Sequence, residues 1–134
     1  MTTGAFDLSR IPVHLGLGAV AIPQEPFTGE LDWYQRYAAR VVPDGVEGRL
    51  VTIHSFAEPW TMWEVHPRGH ELVVCLAGRM VLHQELRGGV ALSFVLEPYQ
   101  AAINLPGVWH TADVDGSATA LFITAGAGTE HRPR

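Results

Sequence analysis

Lysine is absent from this chain, all nine of its basic Lys and Arg positions being arginine. Schiff-base chemistry through a lysine amine is thereby excluded. The single cysteine, Cys75, leaves no internal disulfide framework. Within the run LVVCLAG it reads as a small buried hydrophobe rather than a nucleophile. No apolar run approaches the ~18 residues of a membrane span. The start, MTTGAFDLSR, lacks the basic and apolar stretches of a signal peptide. With a formal net charge of −5 the chain carries no electrostatic footprint for nucleic acid. Its one basic cluster, His131-Arg132-Pro133-Arg134, reads as a solvated terminus. A cytoplasmic protein that binds neither nucleic acid nor membrane is expected. Gly-rich phosphate loops and Gly-x-Ser-x-Gly elbows are missing too, since Gly16-Leu17-Gly18 is too short for the former.

What is present suits one compact domain: 134 residues, 47% of them hydrophobic. Residues 1–48 read as an extended, Pro- and Gly-containing segment with one short helix. That helix is expected from Glu30 to Arg40, with acids early and arginines late, as the helix dipole favours. Asp32 and Arg36 are spaced as an i,i+4 pair. Leu31, Tyr34 and Ala38 form its expected packing stripe. From residue 49 the chain is punctuated by turns such as Arg87-Gly88-Gly89, Pro106-Gly107 and Asp115-Gly116. Strands are expected at Arg49–Phe56, Thr61–His66, Glu71–Leu76, Arg79–Leu86, Ala91–Glu97, Ala101–Asn104, Trp109–Val114 and Ala118–Thr124. Many short strands with such turns indicate an all-β sandwich or barrel over residues 49–134.

Chemistry concentrates in WEVHPRGHELVVCLAG, residues 63–78, and in NLPGVWH, residues 104–110. Side chains two apart on a strand share a face, so Met62, Glu64 and His66 point one way. After the Pro67-Arg68-Gly69 turn, Glu71 shares a face with Val73 and Cys75. His70, its neighbour, faces the other way and is the less favoured ligand. An ionised Glu71 at the head of an apolar face needs a partner or a metal. Carboxylates and imidazoles converging from separate strands suit one divalent metal ion.

These residues resemble the two motifs of the cupin superfamily. Glu64-x-His66, Glu71 and Gly78 match the spacing of the first motif, with Glu64 where the family usually has its first histidine. Pro106-Gly107-Val108-Trp109-His110 matches the second in tightened form. The resemblance covers roughly residues 50–125. It implies a double-stranded β-helix, or jelly-roll barrel, with Glu64, His66, Glu71 and His110 as metal ligands. Two carboxylates would neutralise a divalent ion and suit Fe, Mn or Ni, with Zn also open. Glu64 could instead act as a general base beside a three-ligand metal, or the site could be metal-free.

Trp60, Met62, Val73 and Trp109 are the expected pocket lining. His54 and His83 lie in strand patterns without acidic neighbours at ligand spacing, and His14 and His131 are assigned nothing. Two functions fit: a metal-dependent enzyme acting on a small organic molecule (a dioxygenase-like oxidoreductase, isomerase or lyase), or a non-catalytic cupin that binds or senses a metabolite. Short strands with exposed edges, together with the resemblance, lead us to expect a homodimer.

Overall fold

The computed structural model describes residues 4–134. Its elements run β1 (Val13–Gly16), β2 (Val20–Pro23), α1 (Leu31–Arg40), a 3-10 turn at Val42–Asp44, β3 (Arg49–Phe56), β4 (Met62–Val65), β5 (Glu71–Glu85), β6 (Ala91–Leu96), β7 (Ala101–Asn104), β8 (Trp109–Thr124) and β9 (Glu130–Pro133). Strands β5 and β8 form the spine, antiparallel from Glu71 opposite Thr124 to Glu85 opposite Trp109. Midway they bend and exchange neighbours. The first half of β5 pairs with β7 and the second with β6, while β8 pairs first with β4 and then with β3. Two faces result, β3-β8-β5-β7 and β4-β8-β5-β6, the first extended by β1 and β2 and the second by β9. This is an all-β double-stranded helix, a jelly-roll barrel. Between the faces lies a core of Val73, Cys75, Met80, Leu82, Leu96, Ala112, Ala118, Ala120 and Phe122. Among the described residues no helix is long and apolar enough to cross a membrane.

Three sequence expectations are corrected. The strands expected to end at Leu76 and Val114 do not end there. Gly78, at φ 73°, and Gly116, at φ 78°, bend continuous strands instead of terminating them. The stripe of Leu31, Tyr34 and Ala38 is not the buried face of α1: Leu31 is 72% exposed, whereas Trp33 is fully buried. Residues 25–27 fold back onto that side of the helix. Trp33 Nε1 donates to the Glu25 carbonyl, and Phe27 packs edge-on against the indole. Nor is the C-terminus a solvated tail. It forms β9, with Arg132 over the Trp63 and Trp109 rings at 5.3 and 4.4 Å. The expected Asp32–Arg36 ion pair is present.

The N-terminal segment joins the barrel by pairing β1 with β3 and is tied together internally by polar bonds. Buried His14 on β1 meets Tyr37 Oη through Nδ1 at 2.7 Å and Asp44 Oδ2 through Nε2 at 2.6 Å. Hairpin, helix and 3-10 turn are thus joined at one imidazole.

Gly78 shows why the bend needs glycine. A Cβ there would lie 2.1 Å from the Ser117 carbonyl oxygen, whereas one on Gly116 would meet nothing within 4 Å. Gly78→Ala should therefore cost about 2–4 kcal/mol, and Gly116→Ala about 1 kcal/mol from backbone strain alone. Thermal unfolding followed by circular dichroism checks this. Equal losses in the two variants would mean that the collision is relieved.

Candidate metal centre

Three side chains converge at one end of the barrel. His66 directly follows β4, Glu71 opens β5 and His110 is the second residue of β8. All three are buried, and their ligating atoms lie within 4.8 Å of one another. His66 Nε2 is 3.1 Å from Glu71 Oε2, and His110 Nε2 is 3.2 Å from Glu71 Oε1. Neither nitrogen is aligned to hydrogen-bond, and both are buried without a protein partner. Bonds of ~2.0–2.2 Å to one ion hold adjacent donors roughly 3.0–3.4 Å apart, so these spacings are those of a shared ligand set.

The surroundings fix which nitrogen carries the proton. His66 Nδ1 lies 2.7 Å from Thr129 Oγ1, whose own proton goes to the Gly126 carbonyl at 2.8 Å. Nδ1 must then be the donor. His110 Nδ1 faces the Val108 carbonyl at 3.3 Å, which only accepts. In their neutral forms both imidazoles present the Nε2 lone pair toward Glu71, as metal-binding histidines do. Glu71 is positioned in turn by Asn104 Nδ2, which donates to Oε1 at 3.0 Å, and by the Thr124 hydroxyl, which donates to Oε2. Gln84 Nε2 donates to Asn104 Oδ1 at 2.8 Å and so orients that amide.

Charge follows from these contacts. Burial alone would raise the Glu71 pKa, but in the metal-free protein the two imidazoles in their protonated forms outweigh it and hold the carboxyl well below the usual carboxylate range. Burial likewise opposes a charged His110, yet the carboxylates of Glu71 and Glu64 prevail and its pKa rises. His54, inside the barrel between Phe27 and Phe122, is lowered by burial despite the same carboxylates. Tyr34 is pushed up to about 12 by burial and by the charges of Glu64 and Glu71.

The other expected residues are placed as follows. Glu64 pairs across the sheet with His110 and shares its face, but lies outside the three-residue group. Its Oε1 is 3.3 Å from His131 Nε2 on β9, and this contact raises the His131 pKa. His70 is exposed in the turn. Trp60 packs beside His110, with ring centroids 6.4 Å apart. Met62 is half-buried on β4. Val73 is fully buried in the apolar core rather than at the site. Trp109 corrects the expected lining: next to His110 along β8, it faces outward beneath Arg132. Asn104, Thr124, Thr129 and His131 were not identified from sequence. Asn104 heads the NLPGVWH segment, but nothing in the spacing marks its amide as the carboxylate's partner.

No protein-family model matches the chain, and no curated protein matches it by sequence. Solved structures do. The chain aligns with an oxalate oxidase at TM-score 0.54 and 17% identity, covering 60% of this chain and 44% of that one. Oxalate oxidase in complex with the substrate analogue glycolate gives TM-score 0.54 and 16% identity, covering 61% and 45%. A cupin superfamily protein from Desulfitobacterium hafniense aligns at TM-score 0.48 and 21% identity, covering 57% and 65%. The aligned part is thus under half of the oxalate oxidase's length. At these identities the likeness is one of fold.

Metal binding should displace a proton, because the raised His110 must be neutral to ligate. Affinity for Mn(II) or Zn(II) should therefore be higher at pH 8 than at pH 6. Isothermal titration in two buffers of different ionisation enthalpy would show the proton release. In the metal-free protein the sign is opposite. The charged His110–Glu71 pair contributes stability that is complete below histidine's ordinary ~6.5 and is lost as pH rises through His110's higher value. The same titration on variants separates neighbours: Glu71→Gln should weaken metal binding by more than ~100-fold, while His70→Asn leaves it unchanged.

Proposed function

From the cupin fold of this chain, we propose a metal-dependent enzyme acting on a small organic molecule, with His66, Glu71 and His110 holding one divalent Fe, Mn, Ni or Zn ion. The carrying observation is the pair of buried, unpartnered Nε2 atoms flanking one buried carboxylate. A buried polar atom without a partner costs about 1–3 kcal/mol, so two at one point indicate a missing shared partner. When bound, the ion would polarise a substrate oxygen and, if it is iron, would also supply redox chemistry with O₂. His66 and His110 would ligate as neutral imidazoles held by Thr129 and Val108. Glu71 would supply the one compensating charge of the triad. Glu64, at the same end and held by His131, is the group available to take or return a substrate proton, or to join as a fourth ligand. Trp60 sets an apolar ring beside His110, with Phe56 and Phe122 packed behind it. Oxidase or dioxygenase chemistry on a small acid is favoured within this class by the fold likeness to oxalate oxidase, a fold-level analogy only.

The direct test is metal analysis of protein made without a metal-binding tag, followed by oxygen-uptake assays with oxalate and glycolate. One equivalent of metal in the wild type and none in His66→Ala is expected. A wild type that takes up no divalent metal would overturn the proposal. Retained metal with tight ligand binding but no turnover would favour the non-catalytic alternative.

We further propose the homodimer, supported by apolar side chains left exposed around β6 and β7. Phe94, Val95 and Ile103 are 39, 45 and 54% exposed and lie along a groove of about 480 Å³. Light scattering should give twice the 14.6 kDa chain mass at micromolar concentration.

A further inference from the structure

Among the described residues, only three buried side-chain nitrogen or oxygen atoms lack a protein hydrogen-bond partner. Two are the imidazole nitrogens already assigned to metal. The third is Trp60 Nε1, and it is of the opposite kind: the imidazole atoms offer lone pairs, whereas an indole N–H can only donate. Trp60 is held in place. Its backbone N–H donates to the Ala112 carbonyl at 3.0 Å, and its own carbonyl accepts from Arg134 Nη1 at 2.9 Å. Its ring packs against Phe56, Phe122 and His110 at centroid distances of 5.4, 6.0 and 6.4 Å. The other tryptophans do not share this condition. Trp33 Nε1 donates to the Glu25 carbonyl, and Trp63 and Trp109 lie on the outer face with Arg132.

An apolar nest could have been filled by phenylalanine without leaving a buried donor unmet. A donor fixed beside His110 calls for an acceptor that arrives with the ligand. Charge narrows the class further. A divalent ion held by one carboxylate and two neutral imidazoles keeps a net charge of plus one, since Glu64 is matched to His131. Such a centre favours an anionic oxygen ligand over a neutral one.

We propose that Trp60 Nε1–H donates to a carboxylate oxygen of a small organic acid bound at the His66–Glu71–His110 centre, making Trp60 a specificity-determining residue. This deepens the function proposed above and rests on it for the metal. The plus-one centre distinguishes a carboxylate from an amide of the same shape by charge, and the indole N–H donates more strongly to the anionic oxygen. The indole ring and Phe122 limit the size of the acid's body.

The test uses acetate and its neutral isostere acetamide as probes of the zinc-loaded protein, zinc being diamagnetic. In a ¹H–¹⁵N spectrum of the four indoles, assigned by triple-resonance experiments, saturable movement of the Trp60 peak with acetate and none with acetamide is expected. Trp60→Phe keeps the ring packing and should raise the acetate Kd about tenfold with zinc stoichiometry unchanged. A Trp60 peak that stays still at saturating acetate, no acetate binding at all, or an unchanged Kd in the variant overturns the assignment. The metal reading fails separately. If the wild type takes up no zinc while the Trp60 peak still answers acetate, the donor role stands and the metal does not.

Discussion

Glu71 is a buried carboxylate, and this end of the barrel is organised around compensating it. An ionised carboxylate cannot lie inside a protein unless its oxygens are matched, because desolvation costs several kcal/mol even after relaxation. Its neighbours come from four places in the chain: Asn104 at the end of β7, Thr124 at the end of β8, His110 at the start of β8, and His66 after β4. Each lies far from Glu71 in sequence except His66. Four strand ends must therefore be in register before the charge is met, and a slip of one residue in β5 would replace Glu71 by the wrong face. Fold and site thus share one constraint. The charge that a metal would bind is also the charge that pins the strands.

Legibility in the sequence follows from how local each signal is. Strand parity within its own segment was enough to turn Glu71 rather than His70 inward, whereas His66 and His110 were expected beside it from the resemblance of the two motifs. Gly78 was readable as a motif glycine, but its physical role, avoiding the Ser117 carbonyl, belongs to a contact across the spine. What could not be read was set by partners distant in the chain. Thr129 and Thr124 look like ordinary strand-end threonines until His66 and Glu71 are placed against them. The burial of Trp33 in place of the Leu31 stripe depends on Phe27 and on the Glu25 carbonyl folding back over α1. A basic C-terminal tetrapeptide gives no sign of being a strand, because its pairing is decided by Trp63 and Trp109 beneath Arg132.

That last strand changes how the cupin-like pattern should be read at its point of departure. Glu64 occupies the position of a usual ligand and faces the same way as His110, so parity alone would enlist it as the fourth. With β9 in place, the carboxylate has a competing partner in His131 at 3.3 Å. Both lie toward solvent, at 28 and 51% side-chain exposure, whereas the three inner residues are buried. Exposed ion pairs contribute little, about 0–1 kcal/mol, so this one is cheaply broken. Glu64 is therefore the member whose contact is cheaply exchanged, while the inner three are held by buried contacts. A carboxylate that can leave its partner at low cost suits proton movement or a changing coordination number better than rigid ligation.

The interior is graded along the barrel, and the grading explains why chemistry gathers at one end. Around the bend in β5 and β8 the core is Cys75, Met80, Leu82, Ala112, Ala118 and Ala120, without a charged group. Phe56 and His54 lie level with this part, opposite Ala118 and Ala120, Phe122 lies one step nearer the strand ends, and beyond it come the carboxylates and imidazoles. His54 reports the gradient from within. Its pKa is lowered by burial even though two carboxylates pull the other way, so desolvation dominates at that depth. At His110 the balance reverses, because Glu71 is within 3.2 Å. Between these two histidines lies the boundary at which the cost of desolvating an imidazole gives way to its attraction for the buried carboxylate.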